Sequence, residues 1–342
     1  MLFLDTVKSS EKILCAPFAS FPGTALTNST VKENLNNGEL QATSIIALQK
    51  ICDFDVVFPM MDLTVEAEAM GACINWEIDE LPAVTGKTII DANDVKSLPI
   101  PEIGEGNRLG VFVETCKKLK IEFSDKWVWG YILGPFSIAG RLMGMTEISI
   151  ALKLEPELVH QVLEKVTALI EKYAYALLDT GIDGLVILEP ASGMLDENDA
   201  NEFSNNYIKR IVNLIKDKGK IPVLHNCGRI LHLVESLCAT GIQALHIGSV
   251  TESYDIYPRV PENIVLMGNL NPTEIFLRGT PEKVCEATIN LLTQMAVYNR
   301  FVISSGCDIP PGTPIENLKA FKDAVISIKR SINSNQQKVI LK

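Results

Sequence analysis

The sequence predicts an α/β protein, a closed (β/α)8 barrel with a β-ribbon inserted between its second and third strands. Three observations predict it. Short runs rich in β-branched residues alternate with longer helix-patterned segments from end to end, eight such runs occur, and no linker rich in Pro, Gly or Ser divides the 342 residues. Residues 1–342 are therefore expected to form a single barrel domain.

In chain order the runs are Ile13–Phe18, Asp55–Phe58, Val128–Leu133, Gly184–Leu188, Pro222–His225, Ala244–Ile247, Ile264–Gly268 and Phe301–Ser305. Each is nearly continuous in apolar character, as a parallel strand buried on both faces requires. Between the second and third, Ile74, Trp76 and Ile78 alternate in the segment Ala72–Asp91, which reads as a β-ribbon with its turn near Thr85-Gly86-Lys87; Ala92–Asn107 reads as a Pro-containing loop. Pro156 opens a long amphipathic helix that Gly181 closes, and Asp196–Lys218 is another. Thr280-Pro281-Glu282 and Thr313-Pro314-Ile315-Glu316 each place a hydroxyl before Pro at a helix start, the second with Glu at the capping-box position. The Ala244–Ile247 and Ile264–Gly268 runs lie so close together that the helix between them must be short or irregular. Residues 333–342 read as a polar, frayed tail.

Composition narrows the function. Asp and Glu number 42 against 31 Lys and Arg, giving a net charge of −11 without any basic run, which argues against nucleic-acid and anionic-membrane partners. Only eight Arg occur, the first at Arg108, so a ligand with many carboxylates meets almost no guanidinium in the first third of the chain. No apolar stretch approaches the ~20 residues that cross a bilayer, and the N-terminus lacks a long apolar core after a basic start. A cytoplasmic protein without a signal peptide is expected. The eight cysteines are scattered without framework spacing, which points to core thiols or metal ligands.

His225-Asn226-Cys227-Gly228 follows the fifth run and Ser305-Gly306-Cys307-Asp308 follows the eighth. In a barrel the C-terminal strand ends share one mouth, so an imidazole and two thiolates from these segments would make a three-ligand zinc site with an open fourth position. The competing reading is a buried thiol beside a satisfied histidine. Two thiolates and an imidazole leave zinc near zero net charge, poor for making hydroxide but suited to holding a substrate thiol as thiolate. That chemistry is alkyl transfer to sulfur, whereas metal hydrolysis more usually shows His and carboxylate ligands.

These segments carry a resemblance. His225-x-Cys227-Gly228, Met267-Gly268-Asn269-Leu270-Asn271-Pro272, Gly279-Thr280-Pro281-Glu282-x-Val284 and Gly306-Cys307-Asp308-Ile309-Pro310-x-x-Thr313-Pro314-x-Glu316-Asn317 resemble the uroporphyrinogen decarboxylase superfamily. Within it they are most similar to the zinc-dependent methylcobamide:thiol methyltransferases. The likeness is specific in the C-terminal half and looser over the first hundred residues. It implies a (β/α)8 barrel with Zn2+ on His225, Cys227 and Cys307. The implied donor is a methylcobamide, usually on a separate corrinoid protein, and the acceptor a small-molecule thiol such as coenzyme M or homocysteine.

True decarboxylases carry an Arg-rich motif after the first strand; here Pro17–Thr24 has no basic residue, which speaks against the namesake reaction. Asp62 matches the decarboxylase Asp that binds pyrrole NH groups and is expected as a polar group at the mouth. Glu189, His246 and Asn269 are further candidates for substrate contact, with helix capping, a core or supporting role, and a turn role as their respective alternatives. A Glu can serve as a fourth ligand in the branch, but neither His246 nor Glu252 matches it cleanly. Tyr131 lies near the position of a functional decarboxylase Tyr. The other six cysteines read as ordinary thiols. No Asp-x-His-x-x-Gly corrinoid motif is present, so the corrinoid should arrive on a partner or free. The alternatives are a methyltransferase that demethylates a substrate onto a corrinoid protein, a metal-free decarboxylase and a barrel that only binds corrinoid.

Overall fold

In a computed structural model, which describes residues 3–104, 106–330 and 339–341, the apolar runs form one curled parallel sheet. Its strands lie in the order β1 (Val56–Val57), β4 (Trp127–Leu133), β5 (Gly184–Leu188), β6 (Ile221–Asn226), β7 (Ala244–Ile247), β8 (Val265–Leu270) and β9 (Phe301–Ser305). Every residue of β5 to β9 is buried, which is why these strands read as unbroken apolar runs rather than alternating ones. Helices Pro156–Leu178, Pro281–Gln294 and Ile315–Ile326 pack around the sheet with apolar stripes such as Leu163, Val166, Leu169 and Ile170, each such side chain contributing about 1.5–3 kcal/mol by leaving water.

The first expected strand departs from prediction. Ile13–Phe18 forms a single bridge, Cys15 to Ile303, instead of a ladder. It lies between the two sheet edges all the same: Ala16 N donates to Ile303 O at 2.9 Å, and Asp55 N to Cys15 O at 3.0 Å. Side chains take two of its main-chain donors, with Cys15 N on Asp55 Oδ2 and Phe18 N on Ser305 Oγ, and Pro17 has no N–H to offer.

The inserted ribbon is present as antiparallel β2 (Cys73–Asn75) and β3 (Ala83–Thr85), but residues 76–82 make its turn and Thr85-Gly86-Lys87 lies at the far end of its second strand. Within the expected loop 92–107, a capping box between Asp91 and Asp94 starts the helix Ala92–Ser97. Asp196–Lys218 is helical with a π-turn at Asn201–Asn205, and the β7–β8 connection holds only the short helices Ser253–Ile256 and Tyr257–Arg259. Thr280 caps its helix as expected. Thr313 does not: its hydroxyl donates to Pro310 O, and the last long helix begins at Ile315 without a side-chain cap. Of the expected tail, residues 339–341 pair antiparallel with 328–330, and the remainder lies outside the described residues. Among the described residues no helix is long and apolar enough to cross a membrane.

Candidate metal centre

Sheet register assembles the site. β6 pairs with β7 so that His225 stands beside His246, and β8 pairs with β9 so that Asn269 stands beside Ser304. His225 is the penultimate residue of β6, Cys227 follows the strand directly, and Cys307 follows β9. One ligand atom from each of His225, Cys227 and Cys307 lies within 4.8 Å of the others, the one such cluster among the described residues. Two glycines permit the approach. A Cβ on Gly248 would sit 2.5 Å from Cys227 Cα, and one on Gly306 would sit 2.6 Å from Ser249 N.

A hydrogen-bond relay fixes the proton on the His225 ring. Ser304 Oγ donates its only hydrogen to Ala16 O at 2.7 Å, so it can only accept from His246 Nε2 at 2.8 Å. Burial, reinforced by the His225 ring, pushes His246 well below the usual histidine range and keeps it neutral. With its one hydrogen on Nε2, His246 presents Nδ1 as an acceptor 2.8 Å from His225 Nδ1, which must therefore donate. In its neutral form His225 is left with a lone pair on Nε2, and that buried atom has no hydrogen-bond partner. Phe18 stacks on His246 at 4.0 Å and meets His225 edge-on at 5.4 Å, closing the other side.

The thiols are unlike. Hydrogen bonding from Cys307 outweighs burial and pulls Cys227 down to about 4. The same bond, together with burial, pushes Cys307 well above the usual thiol range. The pair thus loses one proton readily, and a cation is needed to take the second. An unpartnered imidazole nitrogen and two convergent sulfurs are the donor set of a tetrahedral ion with one open position. Tyr131 Oη and both Asp308 carboxyl oxygens are also buried without partners, and burial pushes the Asp308 carboxyl well above the usual carboxylate range.

The other anticipated residues are spread around the mouth. Glu189 is fully buried after β5 and accepts from Phe136 N, Ser137 N and Ser137 Oγ, capping the helix Pro135–Met143. Asn269 binds Ser253 Oγ and the carbonyls of Gly248 and Thr251, tying the β7 and β8 loops together. Asp62 is ion-paired with Arg108 and accepts from Thr64 N and Oγ1. Sequence reasoning missed Ser304, Phe18 and Arg108, whose roles depend on neighbours distant in sequence.

Comparison with known proteins follows the same lines. A family model described as uroporphyrinogen decarboxylase matches residues 22–328. A methylcobamide:CoM methyltransferase of Methanosarcina acetivorans is 27% identical over 299 residues, 86% of each chain. A uroporphyrinogen decarboxylase of Pseudoalteromonas translucida is 26% identical over 299 residues, 84% of this chain and 83% of its own. A methyltransferase from Methanosarcina mazei has the same fold, with TM-score 0.84 at 21% identity over 94% of this chain and 96% of that one. Identity alone does not separate the two activities, so the discrimination falls to the site residues.

Proposed function

Given that the chain belongs to the uroporphyrinogen decarboxylase family, we propose that it is a zinc-dependent methyltransferase moving a methyl group from a methylated corrinoid to a small thiol. The observation that carries this reading is the convergence of His225, Cys227 and Cys307, with His225 Nε2 bare and buried. These three residues would hold Zn2+. When bound, the ion lowers the pKa of a thiol at its open position so that the sulfur reacts as thiolate. The thiol proton leaves to solvent, the sulfur attacks the methyl carbon, the S–C bond forms, and the Co–C bond breaks with its electron pair left on cobalt as Co(I). His246 and Ser304 hold the His225 tautomer, and Phe18 shields both rings from water.

Decarboxylases are relatives at nearly the same identity, but Pro17–Thr24 supplies no basic side chain for substrate carboxylates. In the proposed reading the chain is one catalytic barrel, with 13–18 as its eighth stave, and the corrinoid is delivered by a separate protein. The test is zinc content of the purified protein and of Cys307→Ala, followed by mixing zinc-loaded protein with methylcobalamin and a panel of thiols. Stoichiometric zinc, its loss in the variant, and disappearance of the methyl-Co(III) spectrum with one thiol are expected. A zinc-free wild type with full activity would overturn the proposal.

A further inference from the structure

A cavity with a volume of about 440 Å³ opens beside the inserted ribbon. The loop after β1, the inserted ribbon and the end of the Pro135–Met143 helix form its walls, and His225, Cys227 and Cys307 are not among them. Only three of its lining side chains are polar: Asp62, Thr64 and Arg141. Two are already committed. Asp62 is neutralised by Arg108, and Thr64 Oγ1 donates to Asp62 while accepting from Arg108 Nη2.

Arg141 is not. Its Nε donates to Leu63 O at 2.6 Å, which fixes the plane of the guanidinium. Among the described residues neither Nη atom has an acceptor, and no carboxylate lies within ion-pair distance. The acids that act on it from farther away are Glu66, Asp62 and Glu189. Burial pushes both Glu66 and Glu189 up to about 7, so each is substantially protonated at neutral pH, and Asp62 already has its own guanidinium. A half-buried, oriented guanidinium with free donors on an otherwise apolar wall suits a planar or tetrahedral oxyanion.

We propose that this cavity is an oxyanion subsite, in which Arg141 takes a sulfonate, carboxylate or phosphate group of a substrate while Leu63, Leu81 and Val84 cover its carbon chain. The loops that build it follow β1 and β4 and so share the C-terminal rim with the thiols. The chemistry of the subsite stands on the cavity alone; the source of the anion rests on the methyl-transfer reading. In that reaction two substrates can carry one, an acidic thiol acceptor and the nucleotide phosphate of a complete cobamide.

Both are resolved by KM ratios in the zinc-loaded wild type, Arg141→Gln and the charge-retaining Arg141→Lys. The acceptor pair is 2-mercaptoethanesulfonate against 2-mercaptoethanol, and the donor pair is methylcobalamin against methylcobinamide, which lacks the phosphate. In Arg141→Gln the ratio of the KM of the partner bearing the oxyanion to that of the partner lacking it is expected to rise at least about tenfold in one pair, with the Lys variant between. A rise in the thiol pair assigns the acceptor and a rise in the cobamide pair assigns the donor; unchanged ratios in both overturn the subsite. If the wild type transfers no methyl group with any pair, the methyl-transfer reading fails by itself. Calorimetric titration with ethanesulfonate and with inorganic phosphate then decides the subsite. Binding to the wild type that is at least about tenfold weaker in Arg141→Gln supports it, and equal or absent binding overturns it.

Discussion

Replacing Ser304 by Ala removes one hydroxyl that touches no proposed ligand atom, yet it should weaken zinc binding by about 10- to 100-fold. In the intact relay the Ser304 hydroxyl accepts from His246 Nε2 at 2.8 Å, and His246 Nδ1 accepts from His225 Nδ1 at 2.8 Å. Without the hydroxyl, the His246 Nε2–H is buried and unsatisfied, at a cost of about 1–3 kcal/mol. Shifting that hydrogen to Nδ1 relieves the cost but aims it at the His225 Nδ1–H. His225 must then carry its own hydrogen on Nε2, the atom needed by the metal. Restoring the ligating tautomer on metal binding then costs roughly 1.4–2.8 kcal/mol, which is the stated loss of affinity. Competition with a chromophoric chelator at neutral pH measures it, and nitrogen NMR of the histidine rings in the metal-free protein reports the tautomer directly. A folded Ser304→Ala protein with a zinc Kd within about threefold of wild type and an unchanged His225 tautomer would refute the relay.

Gly248→Ala is expected to lower zinc stoichiometry and destabilise the fold by about 1–3 kcal/mol, because its Cβ would lie 2.5 Å from Cys227 Cα; an unchanged melting temperature and metal content would refute the close approach. Arg108→Met strands Asp62 as a buried, unpaired carboxylate and should cost about 3–5 kcal/mol in urea unfolding, whereas a loss below about 1 kcal/mol would show that Asp62 is solvated. Glu66 is raised from 4.5 to about 7, chiefly by burial, so the folded state binds the extra proton and stability falls as pH rises from about 4.5 to 7. Its share of that decline is about 3 kcal/mol, and Glu66→Gln should flatten the stability profile over this window; an unaltered slope would place the group in water.

Seven of the eight expected runs pair in the sheet, because burial on both faces leaves an unbroken apolar signature that few other local structures share. The eighth was obscured by chemistry that period cannot register: Asp55 takes a main-chain donor from Cys15, and Pro17 offers none. The ribbon turn was misplaced because Thr85-Gly86-Lys87 has turn-forming residues, while the residues that reverse the chain, 76–82, include Trp76, Ile78 and Leu81. The Asp91–Asp94 capping box is legible in the sequence, but the prolines that follow it give the segment a loop-like composition. At the site, His225, Cys227 and Cys307 were legible because each sits at a strand end and carries a donor atom. Ser304 was not, since only the register of four strands shows that its hydroxyl finishes a chain of bonds beginning at His225. Arg141 was equally silent: a basic residue near a helix end is ordinary, and its uncommitted donors appear only once the ribbon is in place.

The relay ends on Ala16, and Ala16 belongs to the segment hydrogen-bonded to β9 on one side and to Asp55, just before β1, on the other. The seam of the barrel and the ligand set therefore share one thermodynamic coordinate. A metal that favours the Nδ1–H form of His225 must tighten the seam, and by reciprocity any event that loosens residues 13–18 must weaken the hold on the metal by the same free energy. Amide exchange at Ala16 should slow on zinc binding, so that the main chain at the seam reports the occupancy of a site it does not touch.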